Sequence, residues 1–256
     1  MIRLNLGRNC LRYLIRAYGI KKIFLPYYSC RTVWIAARAE GCEVRFYHIG
    51  KDFMPAETFG KKDYVLYINY YGLCDTNCEE LEKIYPNLIV DNTQAFYSPK
   101  RGLASFNSLR KFFKVQNGAY LYTDRVLNEC YETDKFLYIP KTMQEDYEQF
   151  VQNELLLNDE PIKYIYPEVE KEMNRIDFEA DKKNRREKFL YYQEKYGADN
   201  LIRLELKRDS VPYCYPLSTK NETVKKELNN DGISYLTLWG RESEDFLSNV
   251  VALPLV

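Results

Sequence analysis

The chain has 256 residues, enough for one large α/β domain or a large domain with a small appendage. Its 37 basic and 37 acidic residues cancel, so no global field draws it to nucleic acid or to an acidic membrane. No apolar run approaches the roughly 20 residues needed to cross a bilayer. Seven scattered cysteines, an odd number, do not make a secreted disulfide framework. Cys74 and Cys78 have no second Cys/His pair at zinc spacing, so they read as reduced thiols rather than metal ligands. The opening Met-Ile-Arg-Leu-Asn-Leu-Gly lacks a basic region followed by an apolar core, and the cytoplasm is the expected address. His48 is the only histidine, which argues against His-rich metal sites and a Ser-His-Asp hydrolase. It reads as structural, leaving acid–base work to a lysine or a carboxylate.

Residues 7–20 open a helix, because Leu11, Leu14, Ile15 and Tyr18 fall at i, i+3, i+4 and i+7. Residues 23–25 read as a short strand stopped by Pro26, 31–39 as a helix ended near Gly41, and 43–48 as an alternating strand. The almost wholly apolar 64–69 is a strand of the kind buried on both faces of a parallel sheet. A helix over 77–85 and a second buried strand over 88–90 follow, with Asp91 at the carboxyl end of that strand. Strands alternating with helices at this spacing predict βαβ units and an α/β fold with a mainly parallel sheet flanked by helices. Residues 126–196 are helix-rich and charged, with breaks at Pro140, Pro161 and Pro167, and 168–192 reads as one long helix linking two parts of the chain. From Leu201 the pattern returns to strands, with 201–206 alternating and 211–216 next. A helix over 223–229, ended by Asp231-Gly232, and a last strand over 233–236 complete a small α+β unit.

Three features could carry chemistry. Gly7-Arg8-Asn9 stands at a helix start, where backbone N–H groups and the helix dipole favour phosphate. Asp91 lies at a strand end, where open α/β sheets bind ligands, and could hold a ring nitrogen protonated. Lys111 sits among apolar neighbours that lower an amine's pKa, and a neutral amine attacks aldehydes. Taken singly, each also has an ordinary reading: a structural glycine, a helix cap and a surface basic cluster. Their order, a phosphate-binding helix start, then a strand-end aspartate, then a lysine some way on, is the parts list of a pyridoxal phosphate (PLP) site.

The motifs around them resemble the DegT/DnrJ/StrS family of PLP-dependent sugar aminotransferases. Gly7-Arg8-Asn9-Cys10-Leu11 is similar to the family's Ser-Gly-Arg/Thr-x-Ala-Leu opening, and Leu25-Pro26-Tyr27-Tyr28-Ser29 to its Val-Pro-x-Tyr-Thr turn. Asn69-Tyr70-Tyr71-Gly72 is similar to His-x-Tyr-Gly, and Asp91-Asn92-Thr93-Gln94-Ala95 to Asp-x-Ala-Gln-Ala. Ser108-Leu109-Arg110-Lys111 through Gly118-Ala119 is similar to the Ser-x-Arg-Lys…Asp-Gly-Gly pattern. More thinly, Asn184-Arg185-Arg186 resembles the helix that introduces the small domain.

The resemblance implies a fold-type-I PLP-transferase large domain over 1–165, without the family's amino-terminal arm. A linking helix and a small C-terminal α+β domain occupy 166–256. It also implies the roles. Lys111 would bind PLP covalently and shuttle protons. Asp91 would hold the pyridine nitrogen protonated, and Gln94 would lie against the ring or its hydroxyl. Gly7, Arg8 and Asn9 would bind the phosphate, with Ser108 or Ser105 adding a hydroxyl. Where the family stacks an aromatic on the ring, Cys30 stands, so Tyr28 or Tyr27 is the expected substitute. Retention of lysine at 111 favours amino transfer over dehydration. The implied reaction moves an amino group, typically from glutamate, to a keto group of a nucleotide-linked sugar, in a homodimer. A second reading keeps the fold for a binding or regulatory role, and a third assigns a different PLP reaction. The 24 tyrosines spread over core strands and helices, and with zero net charge they do not suggest a nucleic-acid partner.

Overall fold

The computed structural model describes residues 1–135, 147–233, 235–239, 247 and 249–256. Its first half builds one seven-stranded sheet from β1 (Ile2–Leu4), β2 (Lys22–Pro26), β3 (Glu43–Tyr47), β4 (Tyr64–Ile68), β5 (Leu88–Asp91), β6 (Ala104–Phe106) and β7 (Ala119–Thr123). The strand order is β1-β7-β6-β5-β4-β2-β3. Strands β2 to β6 pair in parallel, whereas β7 runs antiparallel to both of its neighbours, β1 and β6. The crossovers carry α1 (Gly7–Tyr18), α2 (Arg31–Ala39) and α3 (Asp75–Ile84).

Sequence pattern accounts for this centre. In β4 the side chains of Val65, Leu66 and Tyr67 are wholly buried, and in β5 so are Leu88 and Ile89, as expected of strands covered on both faces. Burying each such aliphatic chain contributes roughly 1.5–3 kcal/mol. Helix α1 lays Cys10, Leu11, Leu14 and Ile15 on the sheet, one stripe of a 3.6-residue repeat. The register Ile68↔Asp91↔Phe106 brings the carboxyl ends of β4, β5 and β6 level, which defines the edge where the polar residues gather.

The second half supplies α4 (Tyr147–Asp159), α5 (Pro167–Met173) and α6 (Phe178–Tyr196). It then gives β8 (Cys214–Leu217), α7 (Glu222–Asn230), β9 (Leu236–Thr237) and β10 (Val251–Pro254). The last three strands make an antiparallel sheet in the order β8-β10-β9. No helix among the described residues is long and apolar enough to cross a membrane.

Three local expectations are corrected. The single helix over 168–192 is two helices, α5 and α6. Asn174 ends the first, and Asp177 caps the second by accepting the Ala180 N–H at 3.0 Å. Between them Ile176 packs with Phe112, Phe113, Val169 and Met173, so burial wins over helical continuity. The alternating 201–206 is extended chain rather than a strand. Ile202 is buried and Leu201 exposed, as the pattern requires, but among the described residues only the Leu201 N–H, bonded to the Ser218 carbonyl at 2.7 Å, finds a backbone partner there. Of the expected strand over 233–236, Ser234 lies outside the described residues; the strand described is Leu236–Thr237, and the central partner of that sheet is β10.

Candidate active site

Asp91 closes β5 and is 2% exposed. Its Oδ1 accepts the Thr93 N–H at 2.8 Å, which turns the chain away from the strand. Burial pushes the carboxyl above its ordinary range, opposed by the nearby Lys111 amine and by Thr93. Lys111 arrives from the other side, at the end of a 3-10 turn, Leu109–Lys111, between β6 and β7. Leu109, wholly buried, anchors that turn, and its N–H meets the Gly118 carbonyl at 2.9 Å. The Lys111 Nζ donates to Thr93 Oγ1 at 3.0 Å. Burial lowers the amine's pKa below its ordinary value, while Asp91 works against that shift and Arg110 adds to it. The pair thus meets across one threonine, each partner biased toward its neutral form.

Helix α1 points its amino end at the same place. Leu6, at the N-cap, offers no side-chain oxygen to the first turn. A Cβ on Gly7 would stand 3.2 Å from Thr93 Cγ2 and 3.4 Å from the Asn107 carbonyl oxygen, so a larger residue would push α1 or Thr93 aside by a few tenths of an ångström on the Asp91–Thr93 turn. Ser108 lies alongside, its Cβ 3.8 Å from that same point, and is buried. Gly7, Asp91, Thr93, Ser108 and Lys111 therefore converge, with helix-end N–H groups suited to an anion and an amine and carboxyl suited to proton transfer.

Other expected site residues are committed elsewhere through their side chains. Arg8 bonds Glu154 of α4 at 2.6 Å and also Asn158. Asn9 donates to Asn5 Oδ1 at 3.0 Å and to the Pro161 carbonyl at 2.8 Å, so these two side chains tie α1 to the 154–161 segment rather than facing an anion beside Gly7. Tyr28 is wholly buried, with its hydroxyl 3.0 Å from that of Tyr71 and its ring stacked on Tyr70. Tyr27 packs on Trp34, Phe46 and His48. Cys30, at the amino end of α2, is half-buried, and its Sγ accepts the Thr32 hydroxyl at 3.1 Å. Gln94 Oε1 accepts the Tyr71 N–H at 3.0 Å and braces a turn in which Tyr71 has φ 59°. At the adjoining Gly72 a Cβ would come within 2.7 Å of the Val211 carbonyl oxygen, and the Tyr213 N–H reaches the Tyr71 carbonyl at 2.8 Å. That strained turn seats the chain entering β8.

Ser105 sits opposite Val90 in the ladder, one residue before the pair Phe106↔Asp91, so strand alternation turns it to the face away from Asp91. His48 is exposed and lies 3.0 Å from Glu57. Sequence reasoning did not single out Thr93 as the partner of Lys111, although it lies two residues beyond Asp91 in the quoted motif. It also missed Glu154, whose only signal is the i,i+4 pair Glu154/Asn158 on one face of α4.

No family model and no curated protein sequence matches the chain. Solved structures do. Spr1654 of Streptococcus pneumoniae in its apo form superposes with a TM-score of 0.67 at 12% identity, covering 99% of this chain and 80% of that one. A DegT DnrJ EryC1 StrS aminotransferase from Brucella abortus gives 0.63 at 12% identity with the same coverage. Helicobacter pylori PseC, an aminotransferase involved in the biosynthesis of pseudoaminic acid, gives 0.62 at 17% identity, covering 98% of this chain and 80% of its own. The chain therefore has the α/β fold of these DegT/DnrJ/EryC1/StrS aminotransferases, the fold-type-I architecture of PLP enzymes.

Proposed function

We propose that this protein is a PLP-dependent aminotransferase that moves an amino group from an amino acid, glutamate in the first instance, to a keto group of a nucleotide-linked sugar. The observation that carries the reading is the meeting of Asp91 and Lys111 across Thr93, directly beneath the uncapped amino end of α1. The cofactor fits the residues present. Gly7 begins α1 beside Ser108 with no side-chain cap on the first turn, so the helix-end N–H groups suit a phosphate. Asp91 is a buried carboxyl able to pair with a protonated ring nitrogen, and Lys111 is a desolvated amine. When bound, PLP supplies the electron sink for amino transfer.

The remaining work falls to the chain. Lys111 Nζ, held by Thr93, takes and returns the proton at the substrate carbon. Asp91 lies where a protonated ring nitrogen would draw it into the carboxylate form, with the Thr93 N–H fixing its orientation. Gln94 braces the 70–72 turn and so sets the wall beside Asp91. In this reading residues 1–165 form the cofactor-binding domain and 166–256 the small domain. The protein works in the cytoplasm, in polysaccharide biosynthesis, as a homodimer.

Cys30 in the position expected of a stacking aromatic, with Tyr28 turned into the core, favours a second reading in which the fold binds a ligand without turnover. One experiment separates them. PLP is added and the visible spectrum recorded, then borohydride is applied and the modified peptide mapped, with Lys111→Ala alongside. A visible band and cofactor mass fixed on Lys111, both absent in the variant, support the enzyme. Wild type without either excludes it.

A further inference from the structure

Thr93 stands between Asp91, Gly7 and Lys111, and the similar family motif has alanine in its place, so the hydroxyl there is a feature of this chain. The turn over 92–95 is closed by the Ala95 N–H on the Asn92 carbonyl at 2.8 Å, which sets Thr93 at its first corner. The residue is then held at three points. Its N–H donates to Asp91 Oδ1 at 2.8 Å. Its Cγ2 lies against the first residue of α1, 3.2 Å from where a Gly7 Cβ would stand. Its Oγ1 is 3.0 Å from Lys111 Nζ. A β-branched side chain is stiff at χ1, so fixing the methyl also fixes the place of the hydroxyl oxygen. Thr93 is buried, and little water competes for that oxygen.

A hydroxyl differs from the other oxygens a lysine can meet. It carries one donor and two acceptor positions, whereas a carboxylate or a carbonyl only accepts. Facing an ammonium, Oγ1 accepts an N–H. Facing a neutral amine, the hydroxyl is the better donor and turns its hydrogen into the nitrogen lone pair. The same contact therefore survives loss of the ammonium proton. In the neutral form it also covers the electron pair with which an amine attacks an aldehyde. An oxygen that only accepts favours the ammonium and leaves that electron pair open.

We propose that Thr93 is a positioning residue for Lys111, which holds Nζ at one place in both protonation states and covers its lone pair between reactions. The proposal rests on the aminotransferase reading, in which Lys111 takes a proton from the substrate carbon and returns it. Such a lysine is charged and neutral by turns and has to keep its place throughout, and an alanine at 93 offers it no hold. The hold slows first capture, since the hydroxyl hydrogen must rotate away before the amine can attack.

The test labels Lys111 in the full chain, free of cofactor, with acetaldehyde and cyanoborohydride. Modification is followed by peptide mass across the pH range over which the amine loses its proton, which gives a plateau rate and a midpoint. Thr93→Val keeps the branched shape without the hydroxyl, and Thr93→Ser keeps the hydroxyl. Among the described residues the ionisable groups around Lys111 are Asp91 on β5, Cys30 at the start of α2, Arg110 in its own turn and Glu154 on α4. All four are the same in the three proteins, so a change of profile belongs to Thr93. Thr93→Val is expected to raise the plateau about fivefold, the equivalent of one net hydrogen bond, with the midpoint moved by less than that factor. Thr93→Ser is expected to stay within about twofold of wild type. A plateau unchanged in Thr93→Val overturns the proposal, whether or not the midpoint moves. Equal gains in Thr93→Val and Thr93→Ser also overturn it, because any disturbance at 93 then loosens the turn. Labelling in Thr93→Val but not in wild type supports it, and labelling in neither overturns it. Thr93→Ala serves if Thr93→Val fails to give a cooperative melt. Failure of the aminotransferase reading shows separately, as absence of cofactor mass on Lys111 after PLP and borohydride, and leaves the acetaldehyde rates readable.

Discussion

Arg185 is buried and Lys111 partly buried in adjoining parts of the fold, and the surroundings of these two basic groups differ in kind. Arg185, 1% exposed, donates to Asp181 at 2.8 Å, to the Phe112 carbonyl at 2.7 Å and to the Tyr213 carbonyl at 3.3 Å, and lies 4.6 Å above the Phe112 ring. Lys111 has Thr93 Oγ1 as its hydrogen-bond partner among the described residues, with Asp91 near enough to shift its titration. A guanidinium saturated by a carboxylate, two carbonyls and an aromatic face stays charged and works as a strut joining α6 to the segment after Lys111 and to the entry of β8. An amine with one hydroxyl is left with unspent donors and a lowered pKa, which is the condition for chemistry. Burial alone does not make a reactive site; incomplete satisfaction does.

The sharpest way to break this contrast is to remove each cation. Lys111→Ala is expected to abolish the visible band with PLP completely, whereas Arg185→Ala is expected to leave a band at saturating cofactor. Conversely, Arg185→Ala should cost about 3 kcal/mol of stability, because Asp181 and two carbonyls lose their donor. For a chain of this size that lowers the melting temperature by roughly 6–12 °C, as calorimetry would record. Equal destabilisation by both substitutions would erase the distinction.

A finer test is pH. Because burial depresses the Lys111 pKa, the folded chain binds fewer protons than the unfolded one between the folded-state value and the ordinary 10.5. Stability contributed by this group therefore rises with pH through that window. Asp91 holds the pKa up, so Asp91→Asn should move the midpoint of Lys111 titration further down. Reductive methylation with carbon-13 NMR would follow it, and a midpoint at or above 10.5 in either protein would contradict the assignment. The smallest expected effect is that of Thr93→Val. It removes one hydrogen bond, worth about 1 kcal/mol in denaturant unfolding, and frees the Lys111 amine to faster reaction with aldehydes.

Much of the centre was legible from sequence. The apolar runs of β4 and β5 could fit only a doubly covered parallel sheet, and the position of Asp91 at the end of β5 followed directly. What escaped depended on partners distant in sequence. Ile2–Leu4 is too short to show alternation and is a strand because β7 accepts it. Val251–Pro254 likewise becomes a strand by lying between β8 and β9. Residues 201–206 alternate correctly and still form no ladder, since pattern specifies faces but not a neighbouring edge. Arg8, Asn9 and Tyr28 show the same limit at the candidate site. Their backbones follow the motifs, while their side chains are claimed by α4, by the Glu160–Pro161 carbonyls and by the Tyr70–Tyr71 core, none of which the motifs mention.

The attachment of β1 has a consequence for the order in which the molecule is made. Leu4 pairs with Ala119, the Gly118 N–H donates to the Asn5 carbonyl at 2.7 Å, and the Asn5 N–H donates to the Lys163 carbonyl at 3.0 Å. Every one of these partners emerges from the ribosome long after Asn5 itself. During translation the parallel strands can assemble while the segment leading into Gly7 still waits for its neighbours, and such long-range pairing is slow to form. The amino end of α1 is then among the last features to be fixed in place, so capture of a ligand there would report on chains that have finished folding rather than on nascent ones.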